Sequence, residues 1–247
     1  MVDEHIVSGR SMEARAIGAV GMTGAASPAA MQTSAPAAAG AAASARADAG
    51  AAPEGAPSLA ALFSSGQFAR VAITDRLNCT RPLPDQVERL AGKVDALVLR
   101  EKDLAPDAYE RLARDVRAAC GRAHVAFIAH TFVEPARRTG ARSLHLPLPV
   151  LARTGRPAGF ELVGTNVHEL DEVVGAEALG ADYLIASPVF APSCKPLPGR
   201  GLDFLNAVIA RAHVPVLALG GVTDTTEQQI RQTKAAGACR MSDYMRL

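Results

Sequence analysis

From Phe68 onward, short runs of Val, Ile and Leu recur, separated by longer stretches in which apolar residues return every three or four positions. The short runs read as strands and the longer stretches as amphipathic helices, so the chain alternates β and α units. Strands are expected at residues 70–74 (RVAIT), 95–99 (DALVL), 124–128 (HVAFI), 142–146 (RSLHL), 161–164 (ELVG), 182–186 (DYLIA), 214–219 (VPVLAL) and 238–242 (ACRMS). Most lack a polar face, as in a parallel sheet covered on both sides. The clearest helices are expected at 106–121, opened by Pro106 and ended by Gly121, and at 168–180, closed by Gly180. Leu104, Ala108, Leu112 and Val116 would form the apolar face of the first. Eight units predict an α/β fold, a (β/α)8 TIM barrel. The chain stops at Leu247, so the last unit is expected to be abbreviated.

The leading stretch has a different composition. Between Gly21 and Pro57, 17 of 37 residues are Ala and 12 more are Gly, Ser or Pro, while all ten aromatics lie at Phe63 or later. Such a segment cannot bury enough surface to offset its ordering entropy. Residues 1–66 are therefore expected to be a disordered Ala-rich tail, and 67–247 the barrel domain. Asp3 and Glu4 stand where a signal peptide would carry basic residues, so export is not expected.

Charge narrows the partners. The 26 Lys and Arg against 25 Asp and Glu leave a net charge of +1, with no basic footprint for nucleic acid. No apolar run is long enough to span a bilayer. The four cysteines sit singly, without zinc-site spacing, and fit reduced thiols in a cytoplasm.

In a barrel the chemistry lies on the loops after the strand C-termini. There the chain places Arg100-Glu101-Lys102, the segment from Ser187 to Lys195, Gly220-Gly221-Val222, and Ser242-Asp243. Glycines let backbone N–H groups approach a phosphate, and Arg100, Lys102 and Lys195 add positive charge. The expected ligand is a small phosphorylated molecule, with Gly220, Gly221, Ser242 and Asp243 as its cradle.

ALVLREKDL (96–104), GTNVHELDEVVGAEALGADYLIASPVF (164–190), SCKPLPGRGL (193–202) and VPVLALGGV (214–222) resemble the thiamine phosphate synthase and TenI superfamily. The resemblance covers about residues 68–245 and implies a (β/α)8 barrel. In the synthase branch it implies that a pyrimidine diphosphate loses pyrophosphate with help from Mg²⁺ and a thiazole phosphate nitrogen captures the carbocation. In the TenI branch it implies proton transfer between ring carbons of a thiazole carboxylate phosphate.

Several synthase positions are altered. The Gln implied two residues before R-E-K is Val98, the Asn-Asp pair ending the third strand is His130-Thr131, and the acid after the fourth strand is replaced by Pro147-Leu148. These changes remove oxygen ligands that Mg²⁺ prefers, so no metal site is expected and Mg²⁺ belongs only to the synthase reading. Leu146-Pro147, Cys194-Lys195 and Gly199-Arg200-Gly201 look like the TenI versions, which favours a tautomerase-type enzyme. The catalytic His of that branch is, however, Pro188 here. His130 is its expected replacement, an imidazole at the barrel mouth titrating near neutrality, with Lys195 as the second candidate catalytic residue. A divergent synthase and a non-catalytic binder of thiazole or thiamine phosphates remain the alternatives. His145 and His168 read as structural, Glu101 as an ion-pair partner, and Arg240 as pointing into the barrel to compensate charge. Phosphorylated thiazole or pyrimidine is the expected partner, and homo-oligomerisation stays open.

Overall fold

A computed structural model describes residues 58–191 and 198–247. Eight parallel strands close into a barrel in chain order: β1 (Ala69–Ile73), β2 (Ala96–Leu99), β3 (Ala126–His130), β4 (Ser143–Leu146), β5 (Leu162–Val167), β6 (Tyr183–Ala186), β7 (Val216–Leu219) and β8 (Gly237–Arg240). All eight overlap expected strands, with β3 ending two residues and β5 three residues later than expected. The helices are α1 (Leu59–Ser64), α2 (Leu83–Arg89), α3 (Pro106–Ala123), α4 (Val133–Arg138), α5 (Leu148–Thr154), α6 (Glu172–Ala178), α7 (Gly201–Arg211), α8 (Asp224–Ile230) and α9 (Ser242–Met245). No helix among the described residues is long and apolar enough to cross a membrane.

Alternation along each strand sorts the core. Val71, Ile73, Val98, Ile128, Tyr183, Ile185, Leu217 and Cys239 fill the barrel, while Ala72, Leu97 and Leu99 turn outward to α2 and α3. Gly164 and Tyr183 are cross-strand partners, and a Cβ on Gly164 would lie 2.1 Å from Cζ of Tyr183. The glycine is thus the seat of the tyrosine ring.

Three helix expectations change. The buried face of α3 is Tyr109, Ala113, Val116 and Cys120, rotated by about one position because a tyrosine, not Ala108, leads it. Gly121 lies inside α3. The left-handed cap is His124 (φ 56°), which lets the N–H of Val125 reach the carbonyl of Cys120 at 2.9 Å. The helix expected from residue 168 begins at Glu172, whose carboxylate accepts the N–H groups of His168 (2.6 Å) and Glu169 (3.1 Å) and ties that segment into a turn.

The stretch expected to be tail ends in an ordered element. Ser58 caps α1 by accepting the N–H of Ala61 at 3.0 Å. Leu59, Leu62 and Phe63, at i, i+3 and i+4, pack on the barrel interior, and the Phe63 ring lies 5.6 Å from that of Tyr183, the first residue of β6. Leu59 is 1% exposed, a burial contributing about 2 kcal/mol. α1 closes the N-terminal end of the barrel.

The last unit is the four-residue α9. Its Tyr244 and Met245 carbonyls accept from Gln86 Nε2 (2.5 Å) and the N–H of Thr80 (3.4 Å), binding it to the segment around α2. Arg240 points outward rather than into the barrel, donating to Asp224 (2.7 Å) and Glu227 (2.5 Å) of α8. Cys239 takes the inward position, so strand parity sends its successor to the helix side. Arg240 and Tyr244 cover the flank that a full eighth helix would occupy.

Candidate active site

The C-terminal mouth of the barrel is built from the ends of β2 to β6 and the loops that follow. His130, the last residue of β3, and His145 of β4 are paired across the ladder, and their rings stack with centroids 5.5 Å apart. Both are buried, 4% and 1% exposed.

Each imidazole has defined partners. His145 Nδ1 lies 3.1 Å from the Tyr183 hydroxyl and Nε2 lies 2.8 Å from Asn166 Oδ1. Tyr183 is fully buried and burial raises its pKa, so the phenol is protonated and donates to Nδ1. His145 then donates from Nε2 to Asn166. His130 Nδ1 lies 2.6 Å from Thr131 Oγ1. The main chain of His130 is held by α3: its N–H donates to the Tyr109 hydroxyl at 2.8 Å, and that hydroxyl donates to the carbonyl of Leu99 at 2.9 Å. One phenol therefore ties the end of β2, where Arg100 begins, to the end of β3.

Burial sets the charge of the pair. It pushes the His130 pKa down to about 2, helped by the positive charges of His145, Lys102 and Arg100. It lowers His145 to about 4, against a raising effect of the Asn166 hydrogen bond. Charging an imidazole out of water is costly, so both rings are neutral at pH 7. Burial thus works against the titration near neutrality expected of His130 from the sequence.

The R-E-K segment divides by side. Arg100 and Lys102 follow the end of β2, and their charges act on His130. Glu101 faces away and is 3% exposed, accepting from Thr74 Oγ1 (2.6 Å) and from the Arg76 backbone N–H (3.1 Å) and guanidinium (3.0 Å). It is a structural ion-pair partner, as its sequence context suggested.

Gly220 and Gly221 follow β7, and Ser242 and Asp243 follow β8, on neighbouring loops because these strands pair. The glycines have a packing role. A Cβ on Gly220 would lie 2.8 Å from Pro188, and one on Gly221 2.5 Å from the carbonyl oxygen of Ala191. Both have positive φ, 104° and 58°, so only glycine sits there without strain. They let the loop after β6 lie against the end of β7, with the N–H of Phe190 on the carbonyl of Gly220 at 3.0 Å. His168 supports the same loop, its Nδ1 2.8 Å from the carbonyl oxygen of Ser187. Lys195 and Cys194 lie outside the described residues.

The described donors at the ends of β3 and β4 are not the set that Mg²⁺ prefers. Where a hard cation needs oxygen ligands, the ends of β3 and β4 carry an imidazole, a threonine hydroxyl and Pro147. The carboxylates following β2, Glu101 and Asp103, are both engaged by Arg76. Among the described residues no three His, Cys, Asp or Glu cluster as a metal site would require.

Sequence reasoning singled out Arg100, Lys102 and His130, which lie at the ends of the paired strands β2 and β3. It missed Tyr109, Thr131, Asn166 and Tyr183, and set His145 apart as structural. Strand parity was the available signal: Asn166 is two residues from Gly164 and shares its inward face.

A family model described as thiamine monophosphate synthase (TMP-TENI) matches residues 70–243. The thiamine-phosphate synthase of Methanoregula boonei is 36% identical over 154 residues, 60% of this chain and 69% of that protein. The thiamine-phosphate synthase of Syntrophomonas wolfei is 30% identical over 192 residues, 73% of this chain and 90% of its own. Thiamine phosphate pyrophosphorylase from Pyrococcus furiosus shares the fold, with a TM-score of 0.62 at 24% identity over 72% of this chain and 87% of that one. By the family match over its barrel and the relatives that span it, the chain belongs to the thiamine phosphate synthase/TenI superfamily.

Proposed function

We propose that this barrel is a thiamine phosphate synthase-type transferase acting on a phosphorylated thiazole and a pyrimidine diphosphate. The observation that carries the reading is that Arg100 and Lys102 follow β2 next to His130 at the end of the paired strand β3, where burial favours the neutral form of both imidazoles. Such a site suits an anion and offers no imidazole base that cycles its charge. The relatives named thiamine-phosphate synthase support the same reaction.

In that reaction the pyrimidine methylene C–O bond breaks and its electron pair leaves with pyrophosphate. The lone pair of the thiazole nitrogen then forms the new C–N bond. No proton needs to be removed from either partner. The task of the protein is to hold two anionic substrates together and to stabilise the departing anion. Arg100 and Lys102 supply positive charge for that purpose, and Lys195 is proposed to join them from the loop after β6. Tautomerase-type proton transfer, favoured by the loop resemblances, needs a base, and the burial that lowers the His130 pKa speaks against His130 in that role.

The test is direct assay of thiamine phosphate from pyrimidine diphosphate and thiazole phosphate, with and without Mg²⁺. Product formation well above that of a Lys195→Ala variant is expected. Bound thiazole phosphate without product would overturn the reading and leave the tautomerase and the non-catalytic binder to be separated by a proton-exchange assay.

A further inference from the structure

We propose that Thr131 is a positioning residue that holds His130 in the neutral Nε2–H form, so that His130 presents a hydrogen-bond donor to an anionic oxygen of the ligand. Thr131 is a β-branched residue at φ 66°, a left-handed conformation that side chains of this shape rarely adopt. Such strain persists only where the surroundings enforce it. Here the Thr131 N–H donates to the carbonyl of His145 at 3.0 Å and the N–H of Phe132 to that of His130 at 2.7 Å, which pins the turn. A glycine would relieve the strain; what threonine adds is the hydroxyl, 2.6 Å from His130 Nδ1.

The hydroxyl proton decides the tautomer. The 2.6 Å contact allows either partner to donate; in the arrangement proposed the threonine O–H donates to Nδ1, which places the ring proton on Nε2. The stacked ring and the nearby charges favour a neutral imidazole, and the backbone is held independently of it. His145 stacks on it from β4 with its own Nε2 proton committed to Asn166, Tyr109 of α3 accepts the His130 backbone N–H, and Arg100 and Lys102 oppose a further positive charge. With Nδ1 taken, Nε2 is the atom left for a ligand. A neutral donor flanked by cations complements a phosphate or pyrophosphate oxygen.

The inference rests on the reading of this mouth as a site for phosphorylated substrates, and the tautomer is measured without ligand so that the two can fail separately. Long-range ¹H–¹⁵N spectra of the full chain, with His130 signals assigned by their loss in His130→Gln, are expected to show Nε2–H with unprotonated Nδ1 from pH 5 to 8. Thr131→Val should shift the ring toward Nδ1–H and weaken inorganic pyrophosphate binding about tenfold, the worth of one hydrogen bond to a charged group. Thr131→Ser should restore both. An Nδ1–H ring or an imidazolium at pH 7 in the wild-type chain overturns the positioning role, and it can be read even if Thr131→Val fails to fold. A Nε2–H ring in a protein without affinity for pyrophosphate overturns the ligand role of His130, while the functional reading stands or falls on the thiamine phosphate assay.

Discussion

The Tyr109 hydroxyl accepts the backbone N–H of His130 at 2.8 Å, from a helix that begins 24 residues earlier in the chain than that histidine. The same oxygen donates to Leu99, so Tyr109→Phe leaves a buried N–H and a buried carbonyl unpaired. Expected is a loss of about 2 kcal/mol, read as a lower urea midpoint, together with weaker binding of thiazole phosphate. An unchanged midpoint would show that the bridge contributes nothing.

The two imidazoles make stability depend on pH. In the unfolded chain each His takes up a proton near its ordinary value of about 6.5, whereas in the folded barrel His145 does so near 4 and His130 near 2. The unfolded state therefore binds more protons across this window, and stability falls as pH drops below 6.5. Each ring should cost on the order of 2 kcal/mol between pH 7 and pH 5. Carboxylates such as Glu110 and Asp103, whose pKa values are lowered by their arginine partners, act at lower pH. Urea midpoints equal at pH 7 and pH 5 would contradict neutral buried rings.

Arg240 meets two carboxylates of different worth. Glu227 is 11% exposed at its side chain and Asp224 is 96% exposed. Removing the buried partner strands a charge, so Glu227→Ala should cost about 3–5 kcal/mol, while Asp224→Asn should leave the thermal midpoint unchanged because solvent screens that pair. Equal effects would show that Glu227 does not anchor the flank.

Two glycines should respond to alanine with opposite signs. Gly221→Ala drives a Cβ to 2.5 Å from the Ala191 carbonyl oxygen and should destabilise by more than about 1 kcal/mol. It should also weaken thiazole phosphate binding by shifting the loop after β6. Gly175, inside α6, has nothing within 4 Å of its would-be Cβ, so Gly175→Ala should stabilise by about 0.5–1 kcal/mol. Paired thermal melts decide both.

The barrel was legible because buried parallel strands are short apolar runs, from Val71 to Cys239, and need no partner to be recognised. The mouth was legible in its charges, Arg100 and Lys102, for they follow strands directly. What stayed hidden depends on which way a residue faces or what packs on it. Arg240 was read inward and lies outward. Gly220 and Gly221 were read as a phosphate cradle, and that Pro188 and Ala191 also leave no room for a Cβ there shows only in the packing. Leu59 and Phe63 of α1 follow an Ala-rich stretch and gain meaning only once the open end of a barrel exists for them to close. His130 was picked by position, but its protonation follows from burial, which no local pattern displays.

The chain has no tryptophan and three tyrosines, and two of these contact the imidazole pair, Tyr109 through the backbone of His130 and Tyr183 through the ring of His145. Its ultraviolet emission therefore originates largely around the His130–His145 pair. Protonation of either ring, or a ligand that moves them, should change tyrosine fluorescence directly, so the folded protein carries an optical probe of its own site and needs no attached dye.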